Sequence, residues 1–195
     1  MMTPFTHQHT LRWPIEDIAV VTVSTHTIGE MRALRKKFCM DDPDEAKQDR
    51  HGFSTAVFLL HTELNDEQRG ELSQPDLTSI TLLIHELVMT PSDQLSAKAR
   101  GVSPDTFPLL VPVTDAMRQG PITHLHMKPP TVRLTDSVRE LAGFEREREL
   151  VATCTGLMPD TVDKLHMPDW LALQQRLSDF LTETADYFPQ VTSNG

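Results

Sequence analysis

The sequence predicts an α+β fold, mainly α-helical, with two homologous lobes that each contain a β-hairpin followed by three or four helices. Three observations predict it: a motif repeated at one constant offset, a hairpin pattern ahead of each copy, and helical spacing of apolar residues behind it. The motif is L-x-x-P-D-(L/W), at residues 72–77 and 165–170. An internal repeat outranks any single motif because it determines the architecture first.

A hairpin pattern opens each half of the chain. Residues 10–23 and 109–127 each contain two apolar runs separated by a polar turn, and the runs are rich in β-branched residues, as strands are. Pro14 and Pro112 occupy matching places in the first strand of each pair. Because proline cannot donate to the strand ladder, each first strand is expected to lie at a sheet edge or to carry a bulge there.

Helices should begin after Thr27 and Thr131, and Thr27 with Glu30 has the spacing of a capping box. The next helices are predicted at about residues 53–64 and 144–154, with Gly156 ending the second.

The Pro-Asp motif then starts an amphipathic helix in each half. Asp76 and Asp169 follow the proline in the first turn, where a carboxylate stabilises the helix N-terminus through the macrodipole, and we interpret both aspartates in that way. The apolar stripes are the predicted partner-binding residues, although the same spacing is typical of a core face. They are Leu77, Ile80, Ile84 and Leu87 in the first half and Trp170, Leu173, Leu177 and Phe180 in the second.

These elements predict a first lobe at residues 1–95, a linker at 96–107, a second lobe at 108–188 and a flexible tail at 189–195. The halves differ mainly at residues 39–52, where the first half inserts a polar stretch that includes the acidic residues 41–45, and we expect a mobile loop there.

The formal net charge of -10 argues against nonspecific binding to nucleic acid and to anionic membranes, which both require basic clusters. Residues 1–5 lack the pattern of a secretory signal and no apolar run approaches membrane-spanning length, so we expect a cytoplasmic protein. Cys39 and Cys154 are far apart and form no C-x-x-C, so both are predicted to be reduced and mostly buried.

No motif predicts catalysis or a cofactor. His124-x-His126 could offer two imidazoles on one strand face, but no zinc spacing accompanies it. Cys154 lies in an apolar helix pattern, and the glycines form no phosphate-binding loop. The charged run at residues 145–149 is interpreted as a solvated helix face. We therefore predict no enzyme, no metal and no cofactor.

The second half resembles the tail assembly chaperones of contractile-tailed phages and Mu-like prophages over roughly residues 107–188. The order of a strand with proline, a Pro-Thr helix start and a Pro-Asp helix is similar to that family. The residues that carry the resemblance are Pro112, Val113, Gly120, Ile122, Pro130, Thr131, Val132, Leu157, Leu165, Pro168, Asp169, Trp170, Phe180 and Leu181. The chain is about twice the usual size of that family, with a degenerate first copy.

The resemblance implies a non-enzymatic chaperone in the host cytoplasm. Such a protein binds the long, mostly helical tape measure protein before the tail tube polymerises around it and then leaves, and many are also made in a longer, frameshifted form. The tail tube protein and a second copy of the chain are further candidate partners. Two alternatives remain open: a structural tail or baseplate component, and an acidic inhibitor that mimics DNA. Methionines would suit an adaptable binding surface, because a flexible thioether side chain can repack against varied partners, but core or loop positions are their commoner fate. The methionines considered are Met89, Met117, Met127, Met158 and Met167.

Overall fold

The computed structural model describes residues 3–100, 106–141 and 143–188. The first half contains β1 (Thr6–Ile15), β2 (Ile18–Ser24), α1 (Ile28–Lys37), α2 (Arg50–His61), α3 (Asp66–Glu71), α4 (Gln74–Met89) and α5 (Ser92–Leu95). The second contains β3 (Thr106–Thr114), β4 (Pro121–His126), α6 (Val132–Ser137), α7 (Gly143–Thr155), α8 (Pro159–Val162) and α9 (Met167–Thr182). The fold is α+β and mainly α-helical, as predicted. No helix within the described ranges is long and apolar enough to cross a membrane.

Each hairpin is an antiparallel pair whose first strand leaves the regular register. In β1 the pairing shifts between Thr10 and Ile15, and in β3 it shifts between Pro108 and Val113. Pro14 and Pro112 lie inside these two irregular stretches, so the predicted bulge is confirmed in both hairpins. The bulges free several backbone N–H groups from the ladder, and these groups need other acceptors.

The predicted helix ends are present. Thr27 accepts a hydrogen bond from the backbone N–H of Glu30, and the Glu30 carboxylate accepts one from the backbone N–H of Thr27, which completes the capping box. Thr131 caps α6 in the same way through the N–H of Leu134. Gly156 follows α7 with a φ of +69°, the left-handed conformation that favours glycine at a helix C-terminus.

The buried apolar residues form two clusters, one centred on each hairpin and its Pro-Asp helix. Ile28 is the exception: it lies in α1 of the first half but is buried in the second cluster. The backbone N–H of Ile28 donates to the carbonyl of Leu165 at 2.8 Å, and that of Gly29 donates to the carbonyl of Asp163 at 2.9 Å. The start of α1 is therefore joined to the segment just before α9.

A Cβ atom at Gly29 would lie 2.8 Å from the Asp163 carbonyl oxygen, so the approach of α1 to this segment requires a glycine at this position.

One position in the first half differs from expectation. Cys39 is exposed rather than buried, and it lies within the turn after α1 with a φ of +54°. Asp41 pairs with Arg35, Asp42 pairs with Lys47 at 3.8 Å, and residues 45–47 form a short 3-10 turn. The mobility predicted for this loop stays a prediction. Residues 101–105 of the predicted linker and the predicted tail at 189–195 lie outside the described residues.

Candidate functional site

Most of the predicted partner-binding residues are in the two cores. Ile80, Ile84 and Leu87 are buried in the first cluster, and Trp170, Leu173 and Leu177 are buried in the second. Leu77 and Phe180 are only partly buried and pack against the cluster edges. Binding by these eight residues stays a prediction. Since six of them are buried, the surface that a partner can reach consists of the exposed residues beside them.

An open groove runs beside α9 on the second half. It has a volume of about 940 Å³. Its walls come from α9, from the adjoining parts of α6 and α7, and from the segment that joins α4 to α5. The groove thus lies where the first half packs on the second.

The floor of the groove is apolar. Val138, Leu150 and Leu177 form it and belong to the second core cluster. Two large apolar side chains stand at the rim in contact with water: Met89 is 59% exposed and Leu181 is 49% exposed. Side chains of this kind at the rim of an apolar groove are typical of a protein-binding surface, because covering them removes apolar area from water.

The polar rim carries both acidic and basic side chains, and the two kinds differ in whether another residue of the structure pairs with them. Glu147 accepts a hydrogen bond from the Gln174 side-chain amide at 2.5 Å, and Asp179 pairs with Arg176 at 3.7 Å. Arg139 and Arg146 are exposed and form no ion pair within the part of the chain that the structure describes. The acids of the groove are therefore engaged, while two of its cations face open solvent.

The charged run at residues 145–149 is not the uniformly solvated face that the sequence suggests. Arg148 is mostly buried, and its guanidinium donates to Asp163 at 2.7 Å and to Asp160 at 3.1 Å. Glu145 pairs with Arg32 of α1. Only part of the run, including Arg146, stays in solvent, because the rest of it ties α7 to α1 and to the segment around α8.

Asp169 holds the start of α9 against β3. It is only 1% exposed, and its two carboxylate oxygens accept hydrogen bonds from the backbone N–H groups of Leu110 at 2.8 Å and Val111 at 3.2 Å. These donors belong to the bulged stretch of β3. The carboxylate thus replaces the ladder acceptors that the bulge removes.

Asp76 does the same in the first half. It is 2% exposed and accepts from the backbone N–H groups of Arg12 at 2.9 Å and Trp13 at 3.1 Å, in the bulge of β1. Ser73 donates its hydroxyl to the same carboxylate. The interpretation of both aspartates as helix-dipole residues alone is therefore wrong: each one also fastens its helix to the bulge of its own hairpin.

The two carboxylates differ in pKa because their surroundings differ. The N–H groups of Arg12 and Trp13 and the Ser73 hydroxyl hold the pKa of Asp76 well below its usual range. Burial raises the pKa of Asp169 to about 6, against the hydrogen bonds from Leu110 and Val111.

Histidines gather where α1 meets the start of α9. The rings of His26 and His61 are 5.1 Å apart, and His166 shares a 2.8 Å hydrogen bond with the Thr25 hydroxyl. His61 donates from Nδ1 to the Ser24 carbonyl at 2.7 Å, while its Nε2 is buried without a partner. No three such side chains in the described ranges are placed to hold a metal ion, and His124 and His126 both face solvent on β4.

We expect this histidine cluster to make stability depend on pH. Burial lowers the pKa of His61 from 6.5 to about 4 and that of His166 likewise to about 4. Between these values the unfolded chain binds protons at these two residues that the folded chain does not, so the histidine contribution to stability falls as the pH falls from 6.5 towards 4, while the raised pKa of Asp169 acts in the opposite direction. His61→Asn keeps a donor for the Ser24 carbonyl and should reduce the loss between neutral pH and pH 4 by about 2 kcal/mol.

The measurement is urea unfolding of the wild type and His61→Asn across this pH range. Exposed His51→Asn is the control and should leave the pH dependence unchanged. Equal pH profiles for all three proteins would contradict the assignment.

Cys154 is buried in α7, and burial raises the pKa of its thiol to about 11. A thiol that stays protonated is a poor nucleophile, which agrees with its interpretation as a packing residue.

The sequence did not predict the groove as a whole. Leu177 is one of the predicted partner-binding residues, and Leu181 continues the same stripe at the end of α9. Met89, the last residue of α4, is marked by the sequence only as one of several methionines that would suit an adaptable surface. Of five methionines considered as adaptable contacts, Met89, Met117 and Met158 are exposed and Met127 is fully buried, while Met167 is partly buried against the second core.

Comparison with known proteins gives one finding. The model of a family described as phage tail assembly chaperone proteins, E, or 41 or 14, matches residues 106–182, which is less than half of the chain. No curated protein and no solved structure matches. The matched range begins with β3 and ends with α9, so it contains most of the groove.

Proposed function

We propose that this chain, whose residues 106–182 match the model of the phage tail assembly chaperone family, binds the tape measure protein, keeps it soluble and competent for tail tube assembly, and is absent from the mature virion. The family is a non-catalytic assembly factor, so its members act through protein partners in tail assembly. We propose that the chain binds the tape measure protein in the host cytoplasm.

The observation that carries the proposal is the groove beside α9. A long amphipathic helix exposes an apolar stripe that aggregates unless a complementary surface covers it. The floor of Val138, Leu150 and Leu177, with Met89 and Leu181 at the rim, offers such a surface inside the family-matched range and at its border with the first half. The stripes predicted from the sequence support this groove from within, since Leu177 forms part of its floor.

We also propose that the chain is a duplication, with lobes at residues 1–95 and 108–188 joined by a linker at 96–107. Each half has a hairpin with a bulge in its first strand, a threonine-capped helix after it, and a Pro-Asp helix fastened to the bulge by its aspartate. The fastening supports the duplication better than the stripe does, because two unrelated amphipathic helices would not share it.

The test is co-expression of the full chain with the tape measure protein encoded beside it. We expect the tape measure protein to become soluble and to co-purify with the chain, and mass spectrometry of purified particles should not find the chain. Failure to bind, or stoichiometric presence in particles, would contradict the proposal, and the second result would favour a structural tail component.

The groove itself is tested by Met89→Glu combined with Leu181→Glu. Both changes place a charge at an apolar rim that the partner would cover, so the soluble yield of the tape measure protein should fall about tenfold or more. Met117→Glu is the control: Met117 is 79% exposed but lies in the turn between β3 and β4, outside the groove lining. Equal yields from both variants would exclude the groove as the binding site.

A further inference from the structure

The charges at the groove rim indicate which kind of helix it takes. The chain has 28 acidic and 18 basic residues, so a groove rim whose free charges are two cations is opposite in sign to the chain as a whole. Arg139 and Arg146 both line the groove, and neither has an ion-pair partner among the described residues. Other arginines, such as Arg35, Arg50 and Arg148, are paired with carboxylates.

The carboxylates of the groove do not pair with these two arginines, because other residues already engage them. Glu147 is held by Gln174, and Asp179 is paired with Arg176, whose guanidinium also stacks over the Phe180 ring at 4.6 Å. A partner lying on the floor would therefore meet two unpaired guanidinium groups, which prefer carboxylates and bind them with two parallel hydrogen bonds.

We infer that the groove takes an amphipathic helix of the tape measure protein in which carboxylates flank the apolar stripe, so that they meet Arg139 and Arg146 while the stripe covers Leu177 and the rim residues Met89 and Leu181. This inference rests on the proposed function and adds the chemistry of the bound segment. If the bound helix had basic or neutral residues beside its stripe, the guanidinium groups of both arginines would lose contact with water without gaining a carboxylate partner.

The contact between these carboxylates and the two arginines makes the groove selective among the helical segments of the tape measure protein. Paired charges at the edge of an interface contribute more to the rate of association and to specificity than to affinity, and salt screens them. An amphipathic helix with lysines beside its stripe would bury the same apolar area but meet like charges. The groove should therefore prefer acidic stripes over basic ones of equal hydropathy.

The experiment titrates the full-length chain with overlapping synthetic peptides that cover the tape measure protein, each about 25 residues long so that helices can form, and measures fluorescence anisotropy. Peptides with acidic flanks should bind best, and their affinity should fall severalfold when the ionic strength rises from about 0.05 to 0.3 M. Arg139→Glu with Arg146→Glu should weaken this binding about tenfold or more at the lower ionic strength.

Arg133→Glu is the matched control, because Arg133 is an exposed arginine of α6 that does not line the groove. It should bind as the wild type does. Replacing the peptide's flanking carboxylates with lysines should weaken binding to the wild type and restore binding to the double variant.

The outcomes separate this inference from the function on which it rests. If the wild type binds no peptide and no intact tape measure protein, the proposed function fails. If the wild type binds but neither salt, the double variant nor the lysine peptides change the affinity, only the acidic-flank inference is overturned. Concentration-dependent dimerisation that the double variant abolishes would instead assign the groove to a second copy of this acidic chain.

Discussion

Asp169→Ala should lower the free energy of unfolding by about 2–3 kcal/mol. The substitution removes the acceptor of the buried Val111 N–H and of the partly buried Leu110 N–H, and leaving a buried group of this kind without an acceptor costs about 1–3 kcal/mol. Part of this cost is offset, because burial raises the pKa of Asp169 to about 6 and thus makes its charged form less favourable near neutral pH. Urea unfolding of the full chain measures the change.

Asp66→Ala is the matched control for this prediction. Asp66 also lies in the first turn of a helix, α3, but it is exposed and touches no bulge. It should cost only about 0.3–1 kcal/mol, the contribution of the helix dipole. Equal losses for Asp66→Ala and Asp169→Ala would mean that the dipole accounts for the whole effect and that the bonds to the bulge contribute nothing.

Ile28→Ala should destabilise the protein by about 2–4 kcal/mol, as expected for removing a buried aliphatic side chain from a packed core. Ile28 is 6% exposed and is buried among residues of the second half. The loss should therefore appear in the second half as well as in α1, and hydrogen exchange of the amides in α9 is the readout that shows it.

Val132→Ala provides the comparison, because Val132 follows the cap Thr131 as Ile28 follows Thr27, but is 77% exposed. It should change the stability by less than about 0.5 kcal/mol. Unchanged amide exchange in α9 of Ile28→Ala would contradict the view that the side chain fills the second core.

Most of the fold could be predicted from signals that are local in the sequence. The threonine caps, the prolines in the first strands and the Pro-Asp helix starts each act within a few residues of their own position, so the sequence reveals them directly. The contacts of the two aspartates could not be predicted in this way, because they join distant parts of the chain. Asp169 meets N–H groups of residues 58 and 59 positions earlier in the chain, and their need for an acceptor arises only because the bulge removes the ladder partners.

The binding surface was harder to predict for a similar reason. Leu177 and Leu181 lie on the same helix four residues apart, with the same apolar character, yet one is 3% and the other 49% exposed. Helical periodicity cannot separate them, because exposure depends on where α6, α7 and the end of α4 pack. The unpaired state of Arg139 and Arg146 likewise depends on which acids the fold has already engaged.

The position of Ile28 has a consequence for how this protein is inherited. A recombination event between residues 100 and 106 would separate Ile28 from the hydrophobic pocket that it fills, and the descendant carrying only the second half would have to seal that pocket with another residue. Selection should therefore keep both halves in one reading frame, whatever the first half contributes to binding.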